Sequence, residues 1–480
     1  MNRKAVFRML GRLAQTEGLL LLLPALVGFL YRESCAWWFL AVAAGTFLLG
    51  TAAVRLLKTA SHVIYAKEGF AIVGLAWIFT SLIGALPAFL SGDIPDYIDA
   101  FFETVSGFTT TGASILRDVE SLSHGVQFWR CFTHWIGGMG ILVFVVALMP
   151  NVSARSIHIL RAEMPGPTMG KLVPRLKDTA KILYLIYVAM TAIEVILLLC
   201  GKMPLFDSLV HAFGTAGTGG FAIKANGLAG YSPYLQWVIA VFMMLFGINF
   251  NLYYLLLIRR AKSALRSEEL WTYLGVILVA TCAIFANIRP LYANASDAVR
   301  DAFFQVSSVT TTTGFSTADF NLWPQFSRAV IFALLFLGGC AGSTAGGLKV
   351  SRAVILLKQI RRELKHLLHP RSVSAARFEG KALEKETLHG VTTYFAAYMF
   401  SILAVFLILS FEPFELETNL TAAISCFNNV GPGLGAVGPM GSYADYSGFA
   451  KLVLSFAMLL GRLEIFPLLL ACAPSTWTKK

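Results

Sequence analysis

Hydrophobic positions along this chain gather into long runs separated by short polar stretches. Runs long enough to form membrane-crossing helices, which need about 20 apolar residues for ~30 Å of hydrocarbon, begin near Gly18, Ala36, Phe70, Phe128, Ile182, Tyr234, Leu270, Arg328, Val391 and Phe449. Between some of them lie shorter, aromatic-rich segments: Ile98 to Phe108, Phe206 to Ala216, Ala298 to Thr310 and Thr418 to Phe427. About a dozen residues rise only ~18 Å as a helix, so these segments dip in without crossing. The pattern predicts an all-α polytopic membrane protein. An N-terminal helix pair (1–67) precedes four units of apolar helix, short segment, loop and apolar helix, at 68–151, 178–260, 268–365 and 388–474. Each unit starts and ends on one side, so the four are parallel and can surround an axis along the membrane normal.

Composition agrees with lipid as the main solvent. The chain is 56% hydrophobic and 14% charged, with a mean hydropathy of +0.68. The net charge of +12 points away from nucleic acid because of where it sits. Arg3, Lys4, Arg8 and Arg12 open the chain. Further basic groups are Arg55, Lys58 and Lys67; Arg155, Arg161, Lys171, Arg175, Lys177 and Lys181; Arg259, Arg260, Lys262 and Arg266; and the segment Lys349 to Lys385. Basic connections stay cytoplasmic, which puts the N-terminus inside. The alternate connections carry Asp93, Asp96, Asp99, Glu103, Asp118, Asp207, Asp297, Asp301, Glu412, Glu415 and Glu417. An acidic outer mouth that concentrates cations is therefore expected. The first run reads as an inside-first helix and not as a cleaved signal. Seven cysteines and eight histidines show no spacing for a disulfide framework or a metal site.

Each short segment is followed by a variation on one phrase: Thr109-Thr110-Thr111-Gly112, Thr218-Gly219-Gly220-Phe221, Thr311-Thr312-Thr313-Gly314-Phe315 and Asn428-Asn429-Val430-Gly431-Pro432. Non-helical backbone at membrane depth is tolerated only within protein or beside a water-filled cavity. A potassium ion that sheds its water needs replacement oxygens, which rings of backbone carbonyls provide. Glycine reaches the backbone angles that turn carbonyls to one side. Gly112, Gly220, Gly314 and Gly431 then form one ring, and Thr111, Gly219, Thr313 and Val430 a neighbouring one. Thr110, Thr218 and Thr312 add hydroxyls, with Asn429 in the fourth loop. Each short helix aims a C-terminal end of roughly −0.5 charge at the ion. Small residues also mark close helix packing in membranes, the plain alternative for any single phrase.

These residues resemble the Trk/Ktr/HKT superfamily of potassium transporters, closest to the bacterial TrkH branch. The resemblance rests on Phe101-Phe102-Glu103-Thr104-Val105-Ser106-Gly107-Phe108-Thr109-Thr110-Thr111-Gly112-Ala113, on Val309 to Phe320, on Asn428 to Gly435 and on Gly338 to Lys349. It covers nearly the whole chain. It implies potassium selectivity with glycine at all four filter positions, whereas serine in the first loop occurs in sodium-passing plant relatives. It also implies a homodimer with one pore per subunit, and a cytoplasmic nucleotide-binding ring, called TrkA for this branch. The expected ion is K+, with no organic cofactor, and the expected location is the bacterial inner membrane. The second loop departs from the family pattern at Ala222-Ile223, where Ser-Thr is common.

Two gate candidates follow. Gly338, Gly339, Gly342, Ser343, Thr344, Gly346 and Gly347 interrupt the last helix of the third unit, and each glycine weakens a helix by ~1 kcal/mol relative to alanine. A kinked helix packed on a neighbour is the structural alternative; the resemblance implies an intramembrane gating loop. Arg462 lies inside the last apolar run, where a charge costs at least ~2.5 kcal/mol. Glu464, two positions on, points to another helix face. The resemblance puts Arg462 below the filter as a positive barrier that helps hold the gate loop; pairing with a structural carboxylate is the alternative. Glu194, also in an apolar run, reads as a structural hydrogen-bonding group before an ion ligand. His366 and His369 lie in the basic connector, which faces either a docked partner or anionic lipid headgroups. The chain carries no Ser/His/Asp set and no phosphate loop, so an enzyme is not expected. The competing readings are a secondary carrier coupling cation or solute movement to protons or sodium, and an assembly subunit without flux.

Overall fold

The computed structural model describes residues 2–57, 66–140, 176–371 and 375–477. Lys58, Arg155, Arg161, Lys171, Arg175 and the end of the first expected unit lie outside the described residues, as do the side chains of Lys67 and Lys177. The fold is helical. Among the described residues it is joined by a small antiparallel hairpin, Arg377–Phe378 against Lys381–Ala382, and an isolated parallel bridge between Leu337 and Leu348.

Among the described residues six helical stretches are long and apolar enough to cross a membrane: Arg3–Leu30, Cys35–Leu56, Glu68–Ser91, Lys181–Cys200, Glu268–Leu291 and Lys385–Leu409. Large apolar side chains on these helices face outward, among them Leu49, Leu56, Ile193, Leu278 and Phe400, as expected where lipid is the solvent. Of the ten expected long runs only the last helix of the third unit is expected to break, as it does, and the structure breaks others as well. The runs near Phe128, Tyr234, Arg328 and Phe449 all break. They give His124–Gly138; Pro233–Phe246 and Phe250–Leu257, bent by 91°; Gln325–Leu334 and Val350–Leu368; and Gly448–Arg462 and Phe466–Cys472. Glycine or a left-handed residue marks the joint at Gly247, at Gly342 with Gly347, and at Glu464 with Ile465, and His124–Gly138 ends just before Gly140, the last described residue of its stretch. Runs of apolar residues hide such joints because hydrophobicity says nothing about φ.

Four short helices, Tyr97–Phe108, Leu205–Gly217, Ala295–Thr310 and Leu416–Asn428, are amphipathic and buried along most of their C-terminal halves. Asp96 caps the first, accepting from the N–H groups of Ile98 and Asp99 at 2.7 and 3.2 Å, so the missing helical bonds of that first turn are made locally. Each short helix packs on the long helix before it and on the broken helix after it. The broken helices of the first, second and fourth segments also pack on the next short helix: His124–Gly138 on Leu205–Gly217, Pro233–Phe246 on Ala295–Thr310, and Gly448–Arg462 on Tyr97–Phe108. Past the break in the third segment, Val350–Leu368 packs on the long helix Lys385–Leu409 of the fourth, so the order of neighbours runs back to its start.

The first two long helices cross through glycines. A Cβ on Gly11 would lie 2.8 Å from that of Ala53, and one on Gly50 would meet the Gly11 carbonyl and the Gln15 amide. Without a hydrophobic drive between helices in lipid, such backbone approach is a main source of association. Gly50→Val is expected to destabilise this crossing by about 1–3 kcal/mol through overpacking, read as a lower thermal unfolding midpoint in detergent; Gly45→Val, with open space around it, serves as the control.

Candidate functional site

The four short helices end in loops of matching backbone. Thr110, Thr218, Thr312 and Asn429 take left-handed φ values of 55°, 55°, 56° and 57°. Two residues on, Gly112, Gly220, Gly314 and Gly431 have φ of 75°, 72°, 86° and 97°. The residues between stay at negative φ. Alternating handedness turns successive carbonyls toward one side, the reverse of a strand. Left-handed non-glycine residues cost on the order of 1–3 kcal/mol and persist only where surroundings enforce them.

The loops meet one another in cyclic order. A Cβ on Gly112 would fall on the Gly219 carbonyl, one on Gly220 on that of Thr313, and one on Gly314 on that of Val430. A Cβ on Gly431 would fall against the carbonyl of Thr111, which closes the circle. Each glycine thus abuts the carbonyl that precedes the next loop's glycine. Hydroxyl pairs brace two loops, Thr109 with Thr111 at 2.8 Å and Thr311 with Thr313 at 2.7 Å. Asn429 Nδ2 donates to Thr111 Oγ1 and to the Met458 carbonyl, both at 2.9 Å. The Thr218 hydroxyl donates to the Gly217 carbonyl at 2.6 Å. In the fourth loop the Gly431 carbonyl accepts from Tyr443 at 2.8 Å, an engagement that sequence spacing does not reveal.

A cavity of about 300 Å³ opens on one side of this ring, lined by all four glycines with Ser114, Arg117, Lys224 and Tyr443. No carboxylate lines it among the described residues, but Glu120, which is exposed, accepts from Ala225 N at 3.2 Å at its edge, and Asp445 pairs with the lining Arg117. Several other acidic side chains brace structure. Glu103 accepts from Ser114 Oγ at 2.9 Å, Ile115 N at 3.0 Å and Arg130 Nε at 2.8 Å, tying the first short helix to the chain just past its loop. Arg130 in turn lies 4.1 Å over the Phe221 ring, next to Gly220. Asp301 takes the Thr317 hydroxyl at 2.9 Å in the third segment, Asp207 takes that of Tyr231 at 2.7 Å in the second, and Asp99 pairs with Lys451 at 2.6 Å.

On the other side a smaller cavity of about 70 Å³ is lined by Gly138, Ser343, Gly346, Lys349, Gly461 and Arg462, among others. Arg462 donates to the carbonyls of Thr344 and Gly138, both at 2.8 Å, and to that of Gly137. The Gly346 N–H donates to Thr312 Oγ1 at 2.6 Å, so the glycine-rich stretch touches the third loop directly. Glu464 pairs with Arg352, whose guanidinium lies 3.9 Å from the Tyr394 ring centroid.

Comparison with known proteins gives the family and the overall fold. The family model described as TrkH, cation transport protein, matches residues 39–292 and 288–479. The chain is 37% identical to the Trk system potassium uptake protein TrkH of Salmonella typhimurium over 489 residues, covering 99% of this chain and 100% of that one. It is 32% identical to TrkG of Escherichia coli K12 over 99% of its own length and 98% of that protein's. The crystal structure of the potassium transporter TrkH from Vibrio parahaemolyticus superposes with a TM-score of 0.89 at 32% identity over 100% of both chains. The chain belongs to the TrkH family of cation transport proteins.

In this TrkH-family chain, the loop residues singled out from sequence come together at one centre, and the glycine-rich stretch lies against it with Arg462. Glu194 is fully buried but lines neither cavity. Sequence reasoning missed His134. Its Nε2 accepts from Phe221 N at 3.3 Å, so Nδ1 carries the proton and donates to the Gly107 carbonyl at 2.8 Å. A neutral ring thereby links the first two loops. Sequence reasoning also left Arg130 unread and took Glu103 for a surface acid; their spacing on separate helices gives no local signal. Because Arg130 and Glu103 are 5% and 2% exposed, Glu103→Ala leaves a buried cation unpaired. It is expected to cost about 3–5 kcal/mol, measured by thermal unfolding in detergent, with Glu103→Gln intermediate.

Proposed function

We propose that this protein takes up potassium across the cytoplasmic membrane through one pore formed where its four loops meet. The carrying observation is the closed cycle in which each glycine abuts the carbonyl preceding the next glycine. In this reading the four helix–loop–helix units are parallel and re-entrant around the pore. K+ is the transported substrate. It exchanges water for the carbonyls of Thr111, Gly219, Thr313 and Val430 and of the neighbouring glycines, with the hydroxyls of Thr110, Thr218 and Thr312 and the Asn429 side chain at the inner end. The short helices add the negative ends of their dipoles. Support for a single path comes from the two cavities, one on each side of the same ring. Alternation of basic connections supports an N-terminus in the cytoplasm of a bacterial inner-membrane protein.

The gate in this reading is the stretch Gly338–Gly347 with Arg462. The bond from Gly346 to Thr312 and the three carbonyls held by Arg462 support it: a guanidinium on the inner side of the ring repels cations and fastens the stretch at once. The named relatives are parts of a Trk system, which supports a cytoplasmic regulatory partner, a TrkA-like nucleotide-binding ring. A homodimer follows from the family resemblance. A carrier coupled to protons or sodium remains the second reading, because broken helices also suit alternating access.

Rubidium uptake into proteoliposomes holding the purified chain tests the central reading. Flux that saturates with rubidium, is competed by potassium and persists without a proton or sodium gradient is expected; no flux under any gradient overturns it. Gly112→Ser puts a side chain at positive φ against the Gly219 carbonyl and is expected to lower the potassium-to-sodium flux ratio about tenfold or more, since the ring can no longer close at its size. Arg462→Ala is expected to raise basal flux, and unchanged flux and gating would dismiss its role.

A further inference from the structure

The gate stretch is held from below by a carboxylate that the reading above does not use. Glu269 is 5% exposed and lies in the first turn of helix Glu268–Ile288. Its Oε1 accepts from Ala341 N at 2.7 Å and from Ser351 N at 3.0 Å. Ala341 belongs to the entering limb of the stretch. Ser351 opens the helix that leaves it, where first-turn N–H groups lack helical partners. One oxygen thus bridges both limbs.

Glu269 is itself set by a second carboxylate. Glu379 Oε1 accepts from Ser267 Oγ at 2.8 Å and from Glu269 N at 3.2 Å. Glu379 and Gly380 sit at the hairpin turn with φ of 49° and 75°, the paired positive values of a tight two-residue turn. The hairpin is fastened beside the gate as well: Lys358, on the helix leaving the stretch, donates to the Arg377 carbonyl at 2.8 Å and pairs with Glu268. The exposed turn, the helix start and both limbs of the gate are therefore joined by successive charge-assisted hydrogen bonds.

We propose that Glu269 is the positioning residue that keeps the gate stretch closed, and that the Glu379 turn sets Glu269, so that displacing the hairpin loosens the gate. The inference rests on the gate reading above and adds the element through which it is controlled. The native Cys340, fully buried within the stretch, reports on it independently of ion flux. In a variant keeping Cys340 as its one cysteine, Glu269→Ala is expected to raise the rate of Cys340 modification by a small maleimide about tenfold, as loss of a charge-assisted hydrogen bond implies. Glu379→Ala is expected to move it the same way by a smaller factor. Glu269→Gln keeps an oxygen at the bridging position and is expected to label at the parent rate. Basal rubidium flux should rise in the same order. Parent-rate labelling in folded Glu269→Ala, or Glu269→Gln labelling as fast as Glu269→Ala, overturns the proposal. Should Glu269→Ala fail to fold, unchanged labelling in Glu379→Ala overturns it instead. Faster labelling with no rubidium flux in any variant, parent included, overturns conduction and leaves the positioning role standing.

Discussion

Backbone touching backbone at four glycines is the constraint on which this molecule turns. Gly112, Gly220, Gly314 and Gly431 each occupy space that a single carbon would take from a neighbouring carbonyl. The protein answers by holding every loop from behind. Arg130 and Glu103, His134, Asn429, Tyr443 and Asp301 all place hydrogen bonds on the loops or the chain just past them. Buried polar groups are costly unless partnered, and at this centre Thr110 Oγ1 and Asn429 Oδ1 stay without a hydrogen-bond partner among the described residues.

The bracing differs from loop to loop. The first is held by an ion pair and a histidine, the third by a threonine and an aspartate, the fourth by tyrosine and asparagine. One backbone shape is thus reached by unlike side-chain solutions. Loops with matching φ need not share chemistry behind them: the third meets Gly346 through a hydrogen bond to Thr312, and the fourth only by packing its Asn428 carbonyl and Asn429 side chain against the same glycine.

Much of this was legible in the sequence because it is written in local terms. Apolar runs gave the long helices, and the Thr/Gly phrases gave the loops. The rest was not local. The joint at Gly247 keeps a helical φ of −73°, so residue type alone does not separate it from a packing glycine, and the left-handed turn at Glu464–Ile465 falls on residues that do not announce one. Of the acids counted as an outer charge cloud, Glu103 is a buried brace, because whether it faces solvent or Arg130 depends on a helix 27 residues away. His134 joins Gly107 and Phe221, and the latter lies 87 residues on; no periodicity reports such a bond.

The cycle also orders how the molecule is made. Its last link joins Thr111 to Gly431, so the earliest loop waits for the latest while the chain is still being synthesised. Until then the first three loops carry polar backbone that hydrocarbon cannot solvate, and closing so long a span is slow. The nascent protein must shelter these segments near the insertion machinery or in water at the membrane face.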